Sequence, residues 1–191
     1  MAVRVVIAED EAIVRLDLKE ILEENGYDVV ADTGRGDEAV SLVREHRPDL
    51  TILDIKMPGL DGLSAAREIT DERLAAVLVL TAFSQRNLVE QARDAGVLAY
   101  LVKPFQASEL IPAIEVALGR FAELQALEHH GRRLEDQLET RKAVDRAKGK
   151  LMDERGLKEA DAFGFIQKTA MRLRLTMAEV ARQVMDGELA P

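Results

Sequence analysis

The chain contains no cysteine, which excludes disulfides, thiolate metal sites and cysteine nucleophiles together. That suits a reducing compartment. No window approaches the roughly 18 to 20 apolar residues that a membrane-spanning helix needs. The start, MAVRVVIAEDE, is not a basic segment followed by a long apolar one, because Glu9 interrupts the apolar run at once. A cytoplasmic protein with no membrane partner is the expectation. GxGxxG, Walker A and Cys/His zinc spacings are also missing, so the commonest nucleotide loops and zinc modules are not available to it.

What is present is enough apolar sequence, 47% of 191 residues, for one good core and a smaller appendage. The formal net charge of -9 hides two different surfaces. Residues 1–119 hold 12 Lys and Arg against 22 Asp and Glu, net -10, whereas residues 120–191 hold 14 against 13, net +1. Within residues 141–182 the balance is 11 basic against 6 acidic, net +5.

Hydrophobic patterning divides the first part into five strand-helix units. Residues 3–8 (VRVVIA) read as a buried strand ending at Glu9, Asp10 and Glu11, and Ile13, Leu16, Leu18, Ile21 and Leu22 then recur near helical spacing up to Asn25-Gly26. Strands follow at 27–31, 50–53, 76–80 and 98–102, and helices at 37–45, 63–69, 88–95 and from about Ser108. Strands and helices in alternation, joined by short connections, form a parallel sheet covered on both faces. Such a sheet places its ligand site beyond the carboxyl ends of the strands, where Glu9, Asp10, Asp54, Thr81 and Lys103 all fall.

Three carboxylates on one sheet edge repel one another unless a cation intervenes. A hard divalent ion with oxygen ligands relieves this, and Mg2+ is the usual choice where phosphoryl oxygens share the site. Asp10 and Asp54 are the expected direct ligands, with Glu9 reaching the ion directly or through water. Asp54 is also a nucleophile that can form an acyl phosphate, with Lys103 neutralising phosphoryl charge and Thr81 offering a hydroxyl donor. Taken singly, each residue has a plainer reading: a strand-end Asp as a loop contact or cap, a Lys before Pro as surface, a Thr as a turn residue. Their joint placement at successive strand ends favours the shared site.

The segments AEDE at 8–11, DLTILDIKMPGLDG at 49–62, LTA at 80–82 and YLVKPF at 100–105 resemble the receiver domain of two-component response regulators over residues 1–119. The resemblance implies a flavodoxin-like doubly wound sheet, Asp54 as phosphoacceptor, and Mg2+ held by Glu9, Asp10, Asp54 and the backbone carbonyl of Lys56. It further implies Lys103 as the phosphate-pairing lysine before a cis peptide to Pro104, Thr81 and Tyr100 as coupled switch residues, and a sensor histidine kinase as donor. On that reading the chain is a phosphoryl acceptor with at most slow self-dephosphorylation, not an enzyme. Glu9 stands where Asp is more frequent in the family.

Past Gly119, Leu124, Leu127, Leu134 and Leu138 make a narrow apolar seam on a charged helix over 120–141, suited to a partner helix but weakened by Gly131. No strong constitutive dimer is expected from it. From residue 142 three further helical patterns appear, ending near Gly156, near Met171 and before Gly187 and Pro191; Thr176 and Glu179 have capping-box spacing in the third. His129 and His130 read as a surface pair. Met152, Met171, Met177 and Met185 read as core filler at helical spacing.

Lys142, Arg146, Lys148, Lys150, Arg172, Arg174 and Arg182 could together form an electrostatic footprint for phosphates, although alone they read as an ordinary charged surface. RKAVDRAKGKLM at 141–152, ADAFGFIQKTAM at 160–171 and LTMAEVARQVM at 175–185 resemble the ANTAR domain, a three-helix module found behind receivers in transcription antiterminators. That resemblance implies binding to paired hairpin loops of leader RNA, with Lys148 a contact candidate and Gly149 serving close helix approach. Lys150, in place of the usual apolar residue, adds charge to that face. The expected arrangement is a receiver (1–119), a linker helix (120–141) and an ANTAR bundle (142–191), with RNA binding and a homodimer induced by phosphorylation. The competing readings are a phosphorylation-dependent protein-interaction module, a DNA-binding regulator, disfavoured for want of a recognition-helix signature, and a metabolic phosphotransferase, disfavoured for want of further pocket residues.

Overall fold

The computed structural model describes residues 2–82 and 86–190, and the chain forms two compact units, Met1–Gln125 and Ala126–Pro191. In the first, β1 (Arg4–Ala8), α1 (Ala12–Glu24), β2 (Asp28–Thr33), α2 (Gly36–His46), β3 (Leu50–Asp54), α3 (Gly62–Asp71), β4 (Ala76–Thr81), α4 (Arg86–Asp94) and β5 (Ala99–Val102) alternate as expected. The strands pair in parallel in the order β2-β1-β3-β4-β5.

The alternation of side chains along each strand builds two cores, one on each face of the sheet. Leu50 and Ile52 of β3 pack with Leu18 and Leu22 of α1 and with Leu110 and Ile114 of the following helix. Leu53 goes to the other side, among Ala39 and Val43 of α2 and Ala65 and Ile69 of α3. Burial on both faces explains why β3 is apolar before Asp54 except at the buried Thr51, and each buried leucine contributes about 1.5–3 kcal/mol.

Helix α1 uses only part of its apolar spacing. Leu18 and Leu22 are fully buried, but Ile13 is 83% and Leu16 68% exposed. At about 100° per residue, Leu16 lies on nearly the opposite side of the helix from Leu18, and Ile13 is far round from it.

Helix α5 runs unbroken from Ala107 to Arg155. The helix expected after Lys103-Pro104, the linker helix over 120–141 and the first helix of the C-terminal bundle are therefore one element. Glycine alone did not end it: a side chain at Gly119 or Gly131 would meet open space, so these positions carry only glycine's modest helix penalty.

In the second unit, the end of α5 packs with α6 (Glu159–Leu173) and α7 (Met177–Met185). Ala147, Leu151, Ala162, Ile166, Val180 and Ala181 are among its buried core residues. Thr176 forms a full capping box with Glu179 at the start of α7, satisfying helix-end donors as the spacing predicts. Of the four methionines expected to fill the core, Met177 packs against it, whereas Met171 is 75%, Met185 42% and Met152 38% exposed. Gly149 likewise serves no close approach, since nothing lies within 4 Å of a Cβ placed there. Pro191 lies outside the described residues.

Candidate functional site

The carboxyl ends of β1, β3, β4 and β5 surround a cavity of about 190 Å3 lined by Asp10, Asp54, Lys56, Thr81 and Lys103, with Glu11, Ile55 and Ala82. Backbone hydrogen bonds fix each contributor. The Glu9 amide donates to the Thr33 carbonyl at 3.0 Å, and its own carbonyl accepts from Arg15 Nη1 at 2.5 Å. The Lys103 amide donates to the Thr81 carbonyl at 2.8 Å. The Lys103–Pro104 peptide is cis, as the resemblance implied.

Asp54 closes β3 and is held at its rim. Its Oδ1 accepts from the Ile55 amide at 2.8 Å. The loop beyond turns back through the Gly62 amide, which donates to the Ile55 carbonyl at 2.9 Å, and Asp61 caps α3 by accepting from the Leu63 and Ser64 amides at 3.0 Å. Gly62 permits this return because a Cβ there would run into the Asp54 carbonyl oxygen.

Lys103 Nζ stands 2.5 Å from Glu9 Oε2 and 3.3 Å from Asp54 Oδ2. The other Glu9 oxygen accepts from the Glu11 amide at 3.2 Å. Burial pushes the Glu9 carboxyl above its ordinary range; Lys103 opposes this and the Asp54 charge adds to it. Burial also raises Asp54 against the pull of Lys103 and the Ile55 amide. For Lys103, burial works against the charged form, but the two carboxylates outweigh it and hold the ammonium above its usual value.

Glu9, Asp10 and Asp54 each bring a carboxylate oxygen within 4.8 Å of the others, the one such group among the described residues that could hold a metal ion. Asp10 is exposed, whereas Glu9 and Asp54 are buried. Even with Lys103 beside them, three carboxylates leave an excess of negative charge, which suits a hard dication with oxygen ligands.

Thr81 is buried at the end of β4. Tyr100 stands apart from the cavity: it pairs with Val79 on the same side of the sheet as Thr81, is 47% exposed, and lines a groove with Val89, Pro112 and Val116. Sequence reasoning missed Arg15, which bonds the Glu9 carbonyl and pairs with Asp32 at 3.1 Å. Its spacing on α1 carries no signal for either contact.

The basic candidates of the second unit divide. Lys148 is pinned between Asp145 Oδ1 at 2.9 Å and Glu159 Oε1 at 2.8 Å, with its side chain only 15% exposed. Lys150 Nζ donates to the Met185 carbonyl at 2.7 Å, satisfying a helix-end acceptor of α7, so the charge expected to enlarge a binding face ties two helices together. Lys142 pairs with Glu139 at 2.9 Å on the surface. Arg146, Arg172, Arg174 and Arg182 are exposed, and Arg174 is the left-handed C-cap of α6. His129 and His130 are exposed. No helix among the described residues is long and apolar enough to cross a membrane.

Residues 5–115 match the response regulator receiver domain family and residues 132–185 the ANTAR domain family. The transcriptional regulatory protein PdtaR of Mycobacterium tuberculosis is 57% identical over 183 residues, covering 96% of this chain and 89% of PdtaR. The chemotaxis protein CheY of Bacillus subtilis is 40% identical over 119 residues, 62% of this chain and 99% of CheY. Among solved structures, the receiver domain of the response regulator NarL from Mycobacterium tuberculosis superposes with a TM-score of 0.60 at 29% identity, covering 62% of this chain and 97% of that one. With its five-stranded parallel sheet, its acidic strand-end cavity and both family matches in the same order, the chain belongs to the two-component response regulators that carry a receiver domain followed by an ANTAR domain.

Proposed function

We propose that Asp54 accepts a phosphoryl group from a sensor histidine kinase and that phosphorylation controls binding of the ANTAR unit to paired hairpin loops of leader RNA, so that transcription continues past a terminator. The observation that carries the first half is the placement of Asp54 in a small cavity with Asp10 and Thr81, 3.3 Å from the Lys103 ammonium. The relationship to a transcriptional regulatory protein along almost the whole chain supports the second.

In the transfer, a carboxylate oxygen of Asp54 attacks phosphorus, the bond from phosphorus to the kinase histidine nitrogen breaks, and that electron pair leaves with the imidazole. Lys103 neutralises charge on the phosphoryl oxygens and the Thr81 hydroxyl donates to one of them. Asp10, Asp54, Glu9 and the Lys56 carbonyl would hold Mg2+, which supplies Lewis-acid charge at those oxygens. The chain's part is positioning and charge, so it is a phosphoryl acceptor and not an enzyme with a separate substrate. Rearrangement of Thr81 and Tyr100, and self-association of the phosphorylated chain, are the proposed links to the output. The site of action on this reading is the cytoplasm.

Binding of the full chain to a two-hairpin leader RNA, with and without phosphorylation and at stated salt, tests the reading. Phosphorylation-dependent binding that Asp54→Ala abolishes is expected. Equal binding by Asp54→Ala would end the switching idea, and no binding in either state would move the output to a protein partner.

A further inference from the structure

The second unit contains a cleft of about 460 Å3 whose long wall is one face of α5, closed by Phe163 of α6 and Met177 of α7. The volume is within the roughly 300–1,000 Å3 usual for small-ligand sites. Phe163 leaves 41% of its surface in water, although it sits between core residues of α6. Gln137, Thr140, Arg141 and Asp145 line the wall, at helical spacings that put amide, hydroxyl, guanidinium and carboxylate groups side by side. Lys148 also borders the cleft, but Asp145 and Glu159 already hold its ammonium. Arg141 is exposed and makes no ion pair within 4.0 Å among the described residues.

An occupant must offer a flat apolar face to Phe163 and a polar edge to the α5 wall. An apolar protein surface would bury those polar groups unpaired, at a cost of about 1–3 kcal/mol each, and a second copy would bring its own net charge of +5 over 141–182 against the same sign. An unpaired base has both a π-face and donor-acceptor edges, and its phosphate meets Arg141. Bases in a duplex keep their faces stacked, whereas those in RNA loops do not.

We propose that this cleft takes one unstacked base of an RNA hairpin loop, stacked on Phe163, with its edge read by Gln137 and Thr140 and its phosphate paired with Arg141. The assignment rests on the RNA-binding reading above and deepens it by naming the recognising residues.

The test uses the full chain phosphorylated on Asp54 and RNA selected from a pool of two-hairpin leaders with randomised loops, then resynthesised with 2-aminopurine at each loop position in turn. One loop position is quenched on binding. Phe163→Leu weakens binding by about 5- to 150-fold, the range for losing one base-aromatic stack, while Phe163→Tyr restores it and Asp54 phosphorylation is unchanged. Arg141→Gln weakens binding and lowers the salt dependence by about one phosphate contact. If the pool yields no binder, the RNA reading itself is lost and this assignment with it. If wild type binds but no position is quenched, the cleft assignment alone is wrong, whether or not Phe163→Leu folds. It is equally wrong if folded Phe163→Leu binds as tightly as wild type. Loss of self-association in sedimentation, with unchanged RNA binding, would make the cleft an interface between copies.

Discussion

The Lys103 ammonium lies 2.5 Å from Glu9 Oε2, closer than it lies to Asp54 Oδ2 at 3.3 Å. The residue that stands where Asp is more usual therefore has the extra methylene needed to share the lysine with the phosphoacceptor candidate. Glu9 thus belongs both to the carboxylate group that could hold a cation and to the contacts that place Lys103.

Removing that charge tests the first role. Glu9→Gln is expected to weaken Mg2+ binding by about tenfold or more, the scale for losing a supporting group at a metal site. Calorimetric titration with Mg2+ and the Mg2+ dependence of Asp54 phosphorylation by a small phosphodonor both report it. Unchanged curves would take Glu9 out of the ion's ligand set.

Gly62→Ala sets a methyl group against the Asp54 carbonyl oxygen. The expected cost is about 1–3 kcal/mol, as for other overpacked buried positions, because the displaced atom belongs to backbone. Denaturant unfolding measures it, and phosphorylation by the same small donor should slow as β3 shifts. Wild-type stability would mean that the loop relaxes freely.

Tyr27 donates to Glu115 Oε1 at 2.8 Å, and its phenol is pushed up to about 12, first by burial and then by the hydrogen bond and charge of Glu115. A raised phenol favours the folded state while protonated. This contribution is complete below the ordinary value of 10.0 and is lost as pH rises through about 12. In a Tyr100→Phe background, tyrosinate absorbance should appear late, and Glu115→Gln should bring it earlier. Titration at the ordinary value with Glu115 intact would contradict the contact.

Thr176→Ala removes the capping box of α7, with an expected loss of about 0.5–2 kcal/mol. Amide hydrogen exchange in the full chain should quicken in α7 and stay unchanged in β3 and β4. If α7 exchange is unaffected, the cap is redundant with the Lys150 bond to Met185.

Five strands and their helices were legible because burial on two faces forces apolar runs such as VVIA and AVLVL, and turns at Gly26 and Gly96 break them cleanly. Asp54, Lys103 and Asp10 were legible because a parallel sheet carries strand ends to one edge. The exposure of Ile13, Leu16 and Met171 was not legible, since spacing records which residues are apolar but not where another element covers them. The continuity of α5 escaped for a related reason: two glycines and a change in composition look like boundaries, yet neither forbids helical backbone.

The sequence by itself determined the fold class and which polar residues fall at the strand ends, because these follow from periodicity, topology and local turn chemistry. Tertiary structure alone decided that Glu9 and Lys103 touch, that Lys148 and Lys150 spend their charges within the second unit, and that Phe163 faces a cleft. Those outcomes depend on distances between elements remote along the chain, and a charge or a ring is spoken for only when a partner arrives within reach.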